Sequence, residues 1–253
     1  MFDTNFQLYL ADTGEAELAH HRVRYQVFCQ ERGFEDPAAF CGDAEWDDWD
    51  LTAAKFAVAS KETGAWVGAC RLIMPNASTF PVETLGCSLP KCADSIPRHQ
   101  IAEVSRVCVA KSSPDSQMAA IKAPFLVDVG AVTARQESEV HIGLIRATIA
   151  YGLDHDIRYV YMLVTPALQR LLGRLGVVFV GAGSAVEHRG TRTPCLVDLE
   201  ASRITMSRRS NKVSAMLMRK HLAYQSHMAC SQPKLARPRP AVRRSFREEL
   251  AAV

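Results

Sequence analysis

Phe6, Leu8 and Leu10 alternate with Gln7 and Tyr9, the period of two that marks a half-buried strand. Asp12 followed by Glu15 has capping-box spacing and predicts a helix running to about Glu31. Arg24 and Phe28 stand one turn apart on that helix and share a face. The acidic, aromatic stretch GFEDPAAFCGDAEWDDWD then reads as a long loop. Two apolar runs, LTAAKFAVAS and AWVGACRLIM, flank KETG and predict a hairpin. Pro75, Pro81, Pro90 and Pro97 punctuate residues 74–99 as loop. IAEVSRVCVA, residues 101–110, is the next strand, and residues 111–138 read as a second irregular insertion.

SEVHIGLIRATIAYGLDHD is apolar on nearly every face and predicts a buried helix. RYVYMLVT is a strand, Thr165-Pro166 opens a helix, and Gly176 closes it. VVFVG and PCLVDL complete the pattern as a last pair of strands. The expected class is α/β (α+β): a mixed twisted sheet of about seven strands flanked by helices.

Charge divides the chain. Residues 1–200 carry 18 Lys and Arg against 25 Asp and Glu, whereas residues 201–253 carry 12 against 2. The expected organisation is a domain over 1–200 and a basic tail over 201–253, part helical and part disordered. Hydrophobic residues make up 48% of the chain, enough for a sizeable core, and no run is long enough for a membrane span. The N-terminal stretch lacks the basic and apolar regions of a secretory signal, so a cytoplasmic protein is expected. The eight cysteines form no CxxC pair and the histidines show no ligand spacing, so neither metal nor disulfide is expected.

Glu103, Ser105 and Arg106 interrupt the middle of an otherwise apolar strand. Charged groups in such a run cost several kcal/mol unless paired or at work. Arg71 lies inside another strand, and EWDDWD places Asp47 and Asp50 three apart between Trp residues, among them Trp46. Acids walled by aromatics suit a cationic amine. Regular pleating would send Arg106 to the face opposite Glu103 and Ser105, so a bulge near Val104–Ser105 is expected to turn it back.

Taken in order, VRYQVF…RGF, EWDDWD, GACRLI and EVSR resemble the acyl-homoserine-lactone (autoinducer) synthases. The matching positions are Arg24, Val27, Phe28, Phe34, Asp47, Asp50, Arg71, Glu103, Ser105 and Arg106. LVTPALQRLLGRLGV resembles the strand-to-helix segment of that family, where Thr165 would contact the acyl-pantetheine arm. Phe34 replaces the usual Trp, and VEHRGTRTPCLVDL looks more like the N-acyl amino acid synthases and the acyltransferases of PEP-CTERM/exosortase systems. The resemblance implies a GNAT-like N-acyltransferase fold, with a three-strand meander followed by β-α-β.

The implied reaction moves a fatty acyl group from a thioester to the amine of a small amino-acid-like acceptor. Glu103 would be the general base, Asp47 and Asp50 would orient the amine, and Arg24 and Arg106 would hold its carboxylate or brace the acids. Ser105 and strand amides would line the thioester. RQESEVHIG lacks the glycine pair of pyrophosphate-binding relatives, which favours acyl-ACP as donor, with no tightly bound cofactor. The tail suits acyl carrier protein, nucleic acid or an anionic membrane. Two rival readings stand beside this one: a homoserine-lactone synthase using S-adenosylmethionine, and a non-catalytic binding module.

Overall fold

The computed structural model describes residues 2–111 and 133–231. A short helix α1 (Phe2–Asn5) leads into strand β1 (Phe6–Leu10) and helix α2 (Gly14–Tyr25). Thr13, not Asp12, caps α2, accepting a hydrogen bond from the Ala16 amide. Asp12 instead accepts from Met228 N at 2.8 Å. Beyond Tyr25 the helix widens into a π turn, Gln26–Glu31.

Strands β2 (Ala53–Ser60), β3 (Trp66–Ile73) and β4 (Ile101–Val109) form an antiparallel meander. Helix α3 (Ala134–Asp154) follows, starting four residues before the expected position, with Thr133 as its cap. Most of the insertion expected at 111–138 lies outside the described residues. Strand β5 (Tyr159–Val164), helix α4 (Pro166–Leu175), and strands β6 (Val178–Ala182), β7 (Val186–Glu187) and β8 (Thr191–Asp198) come next. Thr165 caps α4 and Gly176, at φ +101°, closes it, as expected.

The strand order is β6-β8-β5-β4-β3-β2-β1-β9, with β7 paired to β8. The two strands beyond the seven expected are two-residue pieces, β7 and β9 (Gln225–Ser226). Among the described residues, only β4–β5 and β1–β9 pair in parallel. A parallel neighbour needs a crossover, and α3 supplies it between β4 and β5.

One sheet face carries Leu8, Phe56, Val58, Leu72 and Val160 and packs on Val140, Leu144 and Ala147 of α3. The other face carries Ala69 and Cys108 against Val23 of α2 and Val27 of the π turn. The proline-rich segment 74–99 folds as three 3₁₀ turns, and Phe80, Val82 and Ala93 from it close over Ile73, Tyr161 and Leu196. Cys29, Cys70, Cys108 and Cys195 are buried and free.

The boundary expected at residue 200 falls inside helix α5 (Leu199–Arg209). Met206 of α5, Met216 and Leu217 of α6 (Asn211–Met218), and Tyr224 all pack on the main core. Fully buried Arg146 of α3 ties this segment down. It donates to both carboxylate oxygens of Asp3 and to the carbonyls of Met216 and Leu222. Residues 232–253, the rest of the expected tail, lie outside the described residues. Among the described residues, no helix is long and apolar enough to cross a membrane.

Truncating one partner of a buried ion pair strands the other without a counter-charge. Arg146→Ala is therefore expected to lower the unfolding free energy by about 3 kcal/mol, read as a lower urea midpoint at unchanged slope. An unchanged midpoint would mean that apolar contacts alone hold the C-terminal segment.

Candidate active site

A bulge in β4 organises the site. Cys108 stands opposite Ala69 and Ser105 opposite Arg71, so Arg106 and Val107 together face the single residue Cys70. Arg106 adopts φ +53°, a left-handed conformation that costs a non-glycine residue about 1–2 kcal/mol. The bulge lies one to two residues beyond the position expected from the sequence. Its effect is the expected one: the Arg106 guanidinium turns to the face that carries Arg71, Glu103 and Ser105.

Local structure brings the acids to the same place. The Phe34 and Glu35 amides bond the Phe28 carbonyl at the π turn, with Gly33 at φ +60° making the reversal. Glu45 N bonds the His21 carbonyl, and His21 Nδ1 pairs with the Glu45 carbonyl at 2.9 Å. Asp47 and Asp50 form a capping box on a 3₁₀ turn, Asp48–Thr52. Each carboxylate accepts a backbone amide of that turn, which is what their three-residue spacing provides.

The result is a network of four guanidinium groups and four carboxylates. Arg24 Nε reaches Glu45 Oε2 at 2.5 Å, and its Nη1 reaches Asp50 Oδ1 at 2.6 Å. Arg71 holds Asp47 through both terminal nitrogens, contacts Asp50 at 3.1 Å, and donates from Nε to Ser105 Oγ at 2.9 Å. Arg106 contacts Glu35 and Glu45 at 3.0 Å and Asp47 at 3.4 Å. Arg189 closes the chain on Glu35. Burial by itself would raise the Asp50 carboxyl, but the charges and hydrogen bonds of Arg24, then Arg71, outweigh it and hold Asp50 well below the usual range. Glu45 is lowered in the same way, with Arg24 and Arg106 outweighing its burial.

Glu103 stands outside this balance. It is 3% exposed and accepts a hydrogen bond from Val82 N at 2.9 Å. Burial pushes its pKa up to about 8, with the Val82 amide and the Arg71 charge opposing only in part.

Glu103 opens onto a cavity of about 510 Å³ whose wall includes Phe28, Phe34, Trp46, Asp47, Ser105 and Arg106. The β4–β5 ladder ends at Val104–Met162, although both strands continue. Below that opening lies a second, almost wholly apolar cavity of about 200 Å³ between the sheet and Leu144, Ile145 and Leu172. Val104, Val107, Met162 and Leu168 line both cavities, so the two adjoin.

Of the residues singled out from the sequence, Phe28, Phe34, Trp46, Asp47, Arg71, Glu103, Ser105 and Arg106 line the larger cavity. Three do not. Asp50, expected to orient an acceptor, sits behind the wall with one oxygen on Arg24 and the other on Arg71 and the Asp47 amide. Arg24, expected to hold a carboxylate or brace the acids, is fully buried and does the second. Thr165 accepts from Leu168 N as a helix cap, one residue beyond the lining residue Val164. Glu35, Glu45, Val82, Arg189 and Arg192 were not singled out. Glu45 lies inside the quoted EWDDWD motif, but nothing local separates it from its acidic neighbours.

Residues 23–121 match the acetyltransferase (GNAT) domain family. Over that stretch the chain is similar to a GNAT domain. No curated protein matches it in sequence. Among solved structures, the AHL synthase LasI aligns at 18% identity over 79% of this chain and 93% of its own, with a TM-score of 0.55. The CoA-dependent acyl-homoserine lactone synthase BjaI, solved with SAM and isopentyl-CoA, aligns at 18% identity over 83% of this chain and 89% of its own, TM-score 0.55. TofI, solved with an inhibitor and MTA, aligns at 19% identity over 78% and 96%, TM-score 0.51. These likenesses establish a shared GNAT fold, as the meander and the β-α-β order led one to expect.

The raised carboxyl of Glu103 has a consequence for stability. Its folded value of about 8 lies above its ordinary value of 4.5. Between those values the native state keeps a proton that the unfolded chain has lost, so stability falls as pH rises, by about 1.4 kcal/mol per unit. Glu103→Gln is expected to remove that slope, so the variant gains on wild type from pH 5 to 8 in urea titrations. Parallel curves would place the ordinary carboxyl value on Glu103.

Proposed function

We propose that the protein is an N-acyltransferase that moves a fatty acyl group from a carrier-bound thioester to the amine of a small amino-acid-like acceptor. The observation that carries this reading is Glu103, a buried carboxyl with no ion-pair partner among the described residues, on the wall of a cavity lined by charged and aromatic groups that adjoins an apolar one.

The chemistry requires a neutral amine, a thioester carbonyl held near it and donors for the oxyanion. Glu103 takes the ammonium proton, through a water, and a pKa of about 8 suits a base that must accept a proton and release it near neutrality. The free amine attacks the thioester carbonyl; a C–N bond forms, the C–S bond breaks, and the thiolate leaves with a proton. Past Val104, the β4 backbone groups on the β5 side have left the ladder and are free to face the carbonyl. Ser105, held by Arg71, stands beside them. The acyl chain fits the apolar cavity, and Asp47, at the wall of the larger one, faces the amine. Arg24, Arg71, Arg106 and Asp50 keep this wall in place.

Acyl carrier protein is the favoured donor partner. Helix α3 opens with Glu137 in its first turn and Glu139 shortly after, which opposes a pyrophosphate at that N-terminus. A carrier-bound acyl group brings one phosphodiester instead. S-adenosylmethionine is the competing acceptor, and CoA the competing donor, because BjaI was solved with SAM and isopentyl-CoA.

Purified protein incubated with acyl-ACPs or acyl-CoAs of several lengths, and with either an amino-acid mixture or S-adenosylmethionine, separates these pairs by product mass. The expected product is an N-acyl amino acid, formed from acyl-ACP. Glu103→Gln should lower kcat/KM about 10²-fold, and the wild-type rate should rise with pH through about 8. No product from any pair, or an unimpaired Glu103→Gln enzyme, overturns the reading.

A further inference from the structure

The charges of Arg24 and Arg106, expected to clamp a carboxylate, are already paired with acids of the protein. Another arginine of the cavity wall is not. Arg192, near the start of β8, lines the 510 Å³ cavity and is half-buried. It donates from Nε to the His188 carbonyl at 2.8 Å, which fixes its direction without touching its charge. Among the described residues no carboxylate pairs with it, while every other arginine on that cavity wall has at least one. Burial first, then the like charges of Arg189 and Arg32, lower its pKa, and of these three cations Arg189 alone has a carboxylate partner among the described residues.

The hairpin that presents this group is itself strained. Arg189 takes φ +54° and Gly190 φ +92° at the β7–β8 turn, and Glu35 holds Arg189 there. A left-handed arginine persists where its surroundings over-determine it, commonly at a ligand site. The unspent positive charge calls for an anion. An acceptor's α-carboxylate is two bonds from the reacting amine and falls within the same cavity as Glu103. The phosphate of a thioester donor is held off by its whole pantetheine arm.

We infer that Arg192, backed by Arg189 and Arg32, binds the carboxylate of the acceptor, which makes the acceptor an amino acid and not a simple amine. This rests on the acyl-transfer reading but is tested by binding alone, so the two can fail separately. Isothermal titration calorimetry with an N-acyl glycine and its carboxamide is expected to show the acid binding about tenfold tighter to wild type, the value of one charge-assisted hydrogen bond pair. In Arg192→Gln the ratio should fall toward one, and in Arg192→Lys it should partly recover, with thermal unfolding confirming that each variant is folded. Arg32→Gln, at an exposed position, should narrow the ratio by a smaller factor. Equal binding of acid and carboxamide by wild type overturns the inference, whatever the transfer assays give. So does a preference for phosphopantetheine over pantetheine that Arg192→Gln abolishes, which would assign the cation to the donor's phosphate.

Discussion

A guanidinium turned out of register at Arg106 is the interaction on which the rest of the site depends. In a regular strand it would point into the face packed against α3, where an arginine has no counter-charge. The two-for-one bulge opposite Cys70 sends it to the other face, where Glu35, Glu45 and Asp47 wait. The left-handed backbone that this requires is offset by three carboxylate contacts. The same irregularity coincides with the end of the β4–β5 ladder at Val104–Met162. Ion network and open cleft are thus two results of one backbone event.

Charge balance then decides which groups remain free for chemistry. Four arginines and four acids pair their charges across α2, the acidic loop, β3, β4 and the β7–β8 turn. Such a closed set contributes rigidity more than stability, since desolvation consumes most of the Coulombic gain. Glu103 and Arg192 lie on the same cavity wall and belong to neither side of that balance. One carries a carboxyl pushed up to about 8 by burial, the other a cation without an acid among the described residues. An amine that must lose a proton and a carboxylate that must be held are the complementary ligand chemistry.

Segment 74–99 and the C-terminal helices show how apparent appendages become part of this arrangement. Val82 supplies the amide that anchors Glu103, and Phe80 and Val82 seal the sheet behind it. Arg146 gathers Asp3, Met216 and Leu222 from the two ends of the described chain, and β9 pairs alongside β1. Arg203, Arg208, Arg209 and Lys212 are therefore carried on packed helices.

Most elements were legible along the chain, because alternation, caps and proline positions act over a few residues. The meander, the buried helix, and the Thr165 and Gly176 boundaries are all of this local kind. So was the conspicuous placement of Glu103, Ser105 and Arg106, since a charge in an apolar strand announces itself without coordinates. Which acid pairs with which arginine could not be read there. Asp47 and Asp50 look equivalent in EWDDWD, yet one lines the cavity and the other lies behind it. Glu45, Glu35 and Arg189 reach the site from remote stretches, and the residue left unpaired, Arg192, is defined only after all the other pairings are made. Pairing in a buried network is a property of the whole set of distances, so only the tertiary structure decides it.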